Sequence, residues 1–276
     1  MTGKTLLITG CSSGIGYDAA HRLSRRGWRV FATCRKDADC ARLRDEGLES
    51  FRLDYADPDS IAAAVDETLA RTGGTLDAVY NNGAFGMPAA VEDLPRAALA
   101  EMYEANVFGP HDLTRRVIPA MRAQGHGRIV NCSSVFGYAH FPWRGAYVST
   151  KHGLEGLTDV LRAEMRGTGI EVSLIQPGLI TTKFGDNSMI PFERWIDWEA
   201  SVRAEGYRDL IAGRRGGRSR NARLEAPASA VTAKLVHALE SPRPRARYKV
   251  TRLAHVAAIL DWILPARAAD ALVVRL

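Results

Sequence analysis

The feature that most restricts this chain is a rhythm. Short apolar runs, several without polar alternation, alternate with longer stretches whose apolar residues recur at helical spacing. The runs are 4–9 (KTLLIT), 29–34 (RVFATC), 48–53 (LESFRL), 76–81 (LDAVYN), 127–133 (GRIVNCS) and 170–176 (IEVSLIQ). A strand with one wet face alternates polar and apolar residues, and a strand covered on both faces has no need to. Between the runs, IGYDAAHRLSRRG, DSIAAAVDETLART, a long segment from residue 98 to 125 and YVSTKHGLEGLTDVLRAEMRGTG carry helical periodicity, with glycine or a basic residue near their ends. That order predicts an α/β fold: one doubly wound parallel sheet with helices on both faces.

Composition narrows the class further. The 276 residues are 46% hydrophobic and 25% charged, as in an ordinary soluble globular protein. No apolar run approaches the ~20 residues that a membrane-spanning helix needs. The opening MTGKTLLITG enters an apolar strand with no cleavable signal pattern, so a cytoplasmic location is expected. Cys11, Cys34, Cys40 and Cys132 fit neither a zinc site nor a short disulfide framework and are expected as reduced thiols, with no metal site. The net charge of +6 hides an asymmetry: residues 201–276 hold 15 Lys/Arg against 6 Asp/Glu, which leaves 22 against 25 in residues 1–200.

After Gln176 the rhythm breaks. Residues 183–225 hold an aromatic segment, MIPFERWIDWEA, and a Gly/Arg-rich stretch, before a helix at about 228–240 and a last strand near RYKV. The expected organisation is a single domain over 1–276, with a core at 1–182, an inserted loop region at 183–225 and a final helix, strand and extension at 226–276. In open α/β sheets the ligand site lies at the carboxyl ends of the strands, where an insertion after the sixth strand would cover it.

Two short motifs carry chemistry. The turn after the first run, TGCSSGIG, places Gly10, Gly14 and Gly16 around Ser12, Ser13 and Ile15. Such glycines permit a sharp turn and close approach to a pyrophosphate, while the helix N-terminus offers free N–H groups and a positive dipole end. A tight strand-to-helix connection is the plainer reading of the same residues. The second run ends in Cys34 where an acid for a ribose hydroxyl would stand, followed by Arg35 and Lys36, which suit a 2′-phosphate. This favours NADP(H); Asp37 leaves room for NAD(H), and a solvated cap to the next helix also explains the two cations. Tyr147 and Lys151 are four residues apart, one above the other on a helix, where a cation lowers a phenol's pKa from its usual ~10.

With TGxxxGIG and YxxxK in this order, the chain from about Lys4 to Thr182 resembles the short-chain dehydrogenase/reductase family, a Rossmann-fold family of oxidoreductases. The resemblance implies that Tyr147 exchanges the substrate proton and that Lys151 binds the nicotinamide ribose and lowers the phenol's pKa. It also implies that Ser134, with Ser133 as the competing assignment, holds the substrate oxygen. Asn106 resembles the helix asparagine whose local backbone distortion holds a proton-relaying water, although an ordinary side-chain-to-backbone bond also suits it. Asp54 resembles the acid beside the adenine, or simply caps the following turn. Asn82 and Gly83 lie where the ribose would pass, and the segment containing Pro177, Gly178 and Thr182 resembles the loop that holds the carboxamide. The family's Asn-Asn-Ala-Gly here reads Asn81–Asn82–Gly83–Ala84, which would strain Ala84 by ~1 kcal/mol if it needed positive φ.

The expected reaction interconverts an apolar aldehyde or ketone and its alcohol, resembling bacterial NADP-dependent aldehyde and ketone reductases and, more distantly, hydroxysteroid and retinol dehydrogenases. Candidate pocket walls are Phe85, Met87, Phe136, the HFPWRG loop, and Met189, Phe192, Trp195 and Trp198, which serve equally as core or dimer contacts. His140 and His152 read as plain polar positions. The basic stretch 214–223 lacks interleaved aromatics, so no nucleic-acid partner is expected, and it reads as a solvated loop. The apolar C-terminus is expected to pack on the domain or on a partner subunit, with weak contact to a membrane surface as the alternative. The family commonly forms dimers or tetramers. An NADP-binding regulator and a lyase or epimerase on the same fold are the competing functions.

Overall fold

A computed structural model describes residues 3–215 and 224–274. Seven strands form one sheet in the order β3-β2-β1-β4-β5-β6-β7, and every pairing is parallel. The strands are β1 (Thr5–Ile8), β2 (Arg29–Cys34), β3 (Glu49–Arg52), β4 (Ala78–Asn81), β5 (Gly127–Cys132), β6 (Ile170–Gln176) and β7 (Arg247–Lys249). All residues of β1 and β4 are buried, as the unalternating runs require. Leu6 of β1 lies between Val30 of β2 and Ala78 of β4, and the winding reverses there. That reversal opens a crevice at the carboxyl ends of the strands.

Helices cover both faces. On one side α1 (Gly14–Arg25), α2 (Asp37–Asp45) and α10 (Ala228–Glu240) bury Leu23, Leu43, Val231 and Leu235 against Leu6 and Ile8. On the other, α3 (Pro58–Thr72) and α5 (Gly109–Ala123) bury Ile61, Val65, Leu113 and Val117 against Leu7, the residue between those two. The period of two along β1 thus feeds both layers. The remaining helices are α4 (Arg96–Tyr103), α6 (Gly145–Glu164), α7 (Phe184–Asn187), α8 (Met189–Trp195), α9 (Ala204–Arg215), α11 (Arg252–Ile263) and α12 (Ala266–Val273).

Two expectations change. The segment 98–125 is not one helix, because a π-helical turn, Glu104–Phe108, separates α4 from α5. The helix α2, which follows Lys36, buries only Cys40 and Leu43. Ala84 is unstrained: Trp143, at φ 67°, is the only non-glycine residue with positive φ among those described. The basic stretch 214–223 lies outside the described residues, apart from the backbone of 214 and 215 at the end of α9. No helix among the described residues is long and apolar enough to cross a membrane.

Candidate active site

The glycine turn closes on the loop after β4. Gly10 (φ 68°) and Gly14 (φ 60°) occupy left-handed backbone, which costs a side-chain-bearing residue but not glycine. The Asn82 amide donates to the carbonyl oxygens of Thr9 at 3.0 Å and Gly10 at 3.3 Å. The Thr9 hydroxyl in turn accepts from the backbone N–H of Asn82 and of Gly83, at 2.9 and 3.0 Å. The first turn of α1 has no acidic residue, and its N-cap Ser13 makes no capping bond, so the helix N-terminus keeps its open donors and positive end for an anion. These features fit a dinucleotide pyrophosphate. Gly16 faces inward, pressed against Gly10.

The catalytic candidates sit between β5 and α6. Helix α6 begins at Gly145, so Tyr147 falls in its first turn and Lys151 one turn later, and both are buried. The Lys151 Nζ lies 5.6 Å from the centre of the Tyr147 ring and donates to the Cys132 carbonyl oxygen at 2.8 Å. Burial pushes the Tyr147 phenol well above its ordinary value, the Cys132 thiol adds to this, and a hydrogen bond with the Ser134 side chain opposes it. The expected lowering by Lys151 is therefore absent from this arrangement. The ammonium is spent on a carbonyl, and burial lowers its own pKa, partly offset by Cys132 and Glu155. Of the two serines, Ser134 reaches the phenol, while the Ser133 hydroxyl is buried without a partner.

Asn106 lies in the π-helical turn, fully buried. Its Oδ1 accepts from the Phe85 N–H at 3.0 Å, and its Nδ2 donates to the Phe85 carbonyl at 2.8 Å and to the Thr150 hydroxyl at 3.1 Å. Thr150 donates to the Tyr147 carbonyl oxygen at 2.9 Å. Asn106 thus ties the loop after β4 to the helix turn that presents the phenol.

A single cavity of about 990 Å³ joins these parts. Gly10, Ser12, Ser13, Gly14 and Ile15 line one end, with Asn82 and Gly83 beside them. Ser134, Tyr147 and Lys151 line the middle, where Pro177, Gly178 and Thr182 form another wall. Five expected residues stand outside it: Gly16 packs against Gly10, Asn106 lies behind the wall, and Arg35 and Lys36 are exposed where β2 meets α2. The fifth, Asp54, accepts from the Ala56 N–H at 3.1 Å, the turn-capping alternative. Arg42 donates to the Ser12 carbonyl oxygen at 2.7 Å and so adds a cation beside the glycine turn.

The aromatic walls differ from expectation. Phe192 is buried in a core with Met102 and Tyr207, and Phe85, Met189, Trp195 and Trp198 pack against that core and do not line the cavity. Apolar surface inside the domain outcompeted the ligand site for these rings. Phe136 and Met87 do line the cavity; Phe136 meets Tyr147 edge-on at 6.0 Å, and Phe184 stands 5.3 Å from the same ring. Phe184 was not anticipated, although it lies only two residues beyond Thr182. Also unanticipated are Cys132 at the end of β5 and the inward faces of α11 and α12. His152 bonds the Val148 carbonyl on the exposed side of α6, and all four cysteines are free and buried.

A parallel sheet that reverses its winding above an uncapped helix N-terminus, with a buried serine, tyrosine and lysine sharing one cavity, defines a nucleotide-dependent oxidoreductase architecture. The short chain dehydrogenase family pattern matches residues 4–189. The uncharacterized oxidoreductase YbbO of Escherichia coli is 39% identical over 267 residues, spanning 97% of this chain and 93% of that protein. The 17-beta-hydroxysteroid dehydrogenase type 6 of Rattus norvegicus is 33% identical, spanning 89% of this chain and 80% of that one. Among solved structures, a short-chain dehydrogenase from Streptomyces avermitilis superposes with TM-score 0.79 at 26% identity, over 95% of this chain and 94% of its own. A variant of the actinorhodin polyketide ketoreductase with NADPH gives 0.72 at 27%, over 90% and 95%. The chain belongs to the short-chain dehydrogenase family and is an oxidoreductase that uses a nicotinamide cofactor.

Proposed function

We propose that this chain is an NADP(H)-dependent reductase of apolar aldehydes or ketones, working in reverse as an alcohol dehydrogenase. The observation that carries the reading is the convergence of Ser134, Tyr147 and Lys151 in the cavity that also holds the glycine turn. Bound dinucleotide supplies or accepts the hydride. The protein does the rest: Ser134 orients the substrate oxygen, Tyr147 gives it a proton, and Lys151 turns from the Cys132 carbonyl to the ribose and the phenol. Holding both reactants in one enclosed space contributes through proximity. Asn106 keeps the phenol's helix turn in register.

The preference for NADP(H) rests on Cys34, buried at the end of β2, and on exposed Arg35 and Lys36. The ketoreductase neighbour solved with NADPH supports it. Replacing Arg35 by aspartate removes a charge-assisted bond worth ~1.5–3 kcal/mol, so the NADPH-over-NADH ratio of kcat/KM should fall by about 10- to 100-fold. An unchanged ratio would refute this reading. Consumption of NADPH in step with loss of an aldehyde or ketone tests the activity itself, and a lyase or epimerase would leave NADPH untouched.

A further inference from the structure

The two last helices contribute almost nothing to the core, yet they carry many apolar side chains. In α11 only Ala254 is fully buried, and in α12 no residue is. The inward side of α11, with Ala257, Leu260 and, just beyond its end, Leu264, lines the same cavity as Tyr147, and Ala269, Leu272 and Val273 of α12 line it too. The spacing 257, 260, 264 is one helical face; Ile259, Trp262 and Ile263 point elsewhere and are exposed.

Two bonds hold this pair of helices over the site. The Tyr138 hydroxyl donates to the Ala254 carbonyl at 2.7 Å, and His140 Nε2 meets Asp270 Oδ1 at 3.0 Å. Both tethers come from the loop that leads into Tyr147. At the foot of α11, Thr251 caps the helix through Ala254 N–H at 3.1 Å, and its hydroxyl leaves no room for a side chain at Gly178. The helices are thus fixed to both edges of the catalytic cleft, and their half-buried aliphatic side chains line the cavity.

The geometry points to a tail-binding compartment under α11 and α12 that takes the unbranched aliphatic chain of the substrate while its carbonyl end lies at Tyr147. The part of the wall contributed by α11 and α12 is aliphatic apart from Asp261, while Phe136, Phe141 and Phe184 line the cavity elsewhere. Ala257 and Ala269 are the smallest side chains that these helices bring to the cavity, among the larger Leu260, Leu264 and Leu272. The compartment rests on the carbonyl-reductase reading for its catalytic end, and its own binding can be measured without turnover.

The test compares octanal with butanal in NADPH-dependent turnover, and 1-octanol with 1-butanol in calorimetric binding to the NADP-loaded protein. Each methylene taken from water is worth about fourfold, so octanal should exceed butanal in kcat/KM by well over tenfold. Ala257→Phe and Ala269→Phe, on separate helices, put a ring into the compartment, and each should lower that ratio by about tenfold or more, the equivalent of two methylenes. Equal kcat/KM for the two aldehydes in the parent, or a ratio unchanged in the folded variants, overturns the compartment. If no aldehyde is turned over, the reductase reading fails and the alcohols decide alone. Octanol preferred by the parent and not by the variants then supports the compartment, and equal binding of the two alcohols overturns it.

Discussion

Replacing Gly16 by alanine drives a methyl group into occupied space. A Cβ there would stand 2.4 Å from the Gly10 carbonyl oxygen, 2.7 Å from Asn82 Nδ2 and 2.9 Å from the Gly10 carbonyl carbon, against an optimum of about 3.5–4.0 Å. Two of these atoms are backbone of a residue at φ 68°, with little freedom to retreat. Overpacking of this kind costs ~1–3 kcal/mol, while alanine gains ~1 kcal/mol over glycine in a helix. The net expectation is a loss of up to about 2 kcal/mol, or up to roughly 8 °C in Tm, and a rise of at least about tenfold in the Kd for NADPH as Gly10 and Asn82 are pushed apart. Gly156→Ala is the control: this glycine is exposed in α6 with nothing within 4 Å of an added Cβ, so the same substitution should stabilise by up to ~1 kcal/mol. Thermal unfolding and NADPH fluorescence titration of both variants measure the contrast. A Gly16→Ala protein that is more stable and binds NADPH as the parent does would refute the packing argument.

Asn106→Ala removes three hydrogen bonds and leaves the Phe85 N–H and C=O short of partners; at ~1 kcal/mol for each bond, denaturant unfolding should show a loss of about 3 kcal/mol, with kcat reduced. The pH dependence follows from the raised phenol of Tyr147. Reduction needs the protonated phenol, so its kcat/KM should stay level from neutral pH to beyond the ordinary tyrosine value of ~10, while oxidation, which needs the phenolate, should rise with pH throughout that range. A reduction rate already falling at neutral pH would contradict the burial argument.

Much of the fold was legible because burial on both faces leaves a distinctive pattern. The runs 29–34 and 170–176 match β2 and β6 residue for residue, and the helix expected at 228–240 is α10. What stayed hidden depends on tertiary context. The π-helical turn at Glu104–Phe108 replaces one backbone bonding pattern by another without altering the apolar spacing. Phe192, Trp195 and Trp198 look like a pocket wall in the chain, but the core they share with Tyr207 satisfies them first. On α11, which packs on the domain through Ala254, the spacing did not reveal that Ala257 and Leu260 also line the cavity. At the site, Tyr147, Lys151 and Ser134 come together as their motif implies. The electrostatics around them could not be read from spacing, since the Cys132 carbonyl that engages Lys151 lies on a different element.

Proton transfer at this site depends on one hydroxyl. Tyr147→Phe keeps the ring and its contacts with Phe136 and Phe184 but removes the proton, and general acid catalysis contributes ~10²–10⁴-fold. NADPH-dependent reduction of octanal by this variant, measured against the parent, should show kcat lowered by at least about 100-fold, with the Kd for NADPH within a few-fold of the parent's. A variant that reduces the aldehyde as fast as the parent would contradict the central claim.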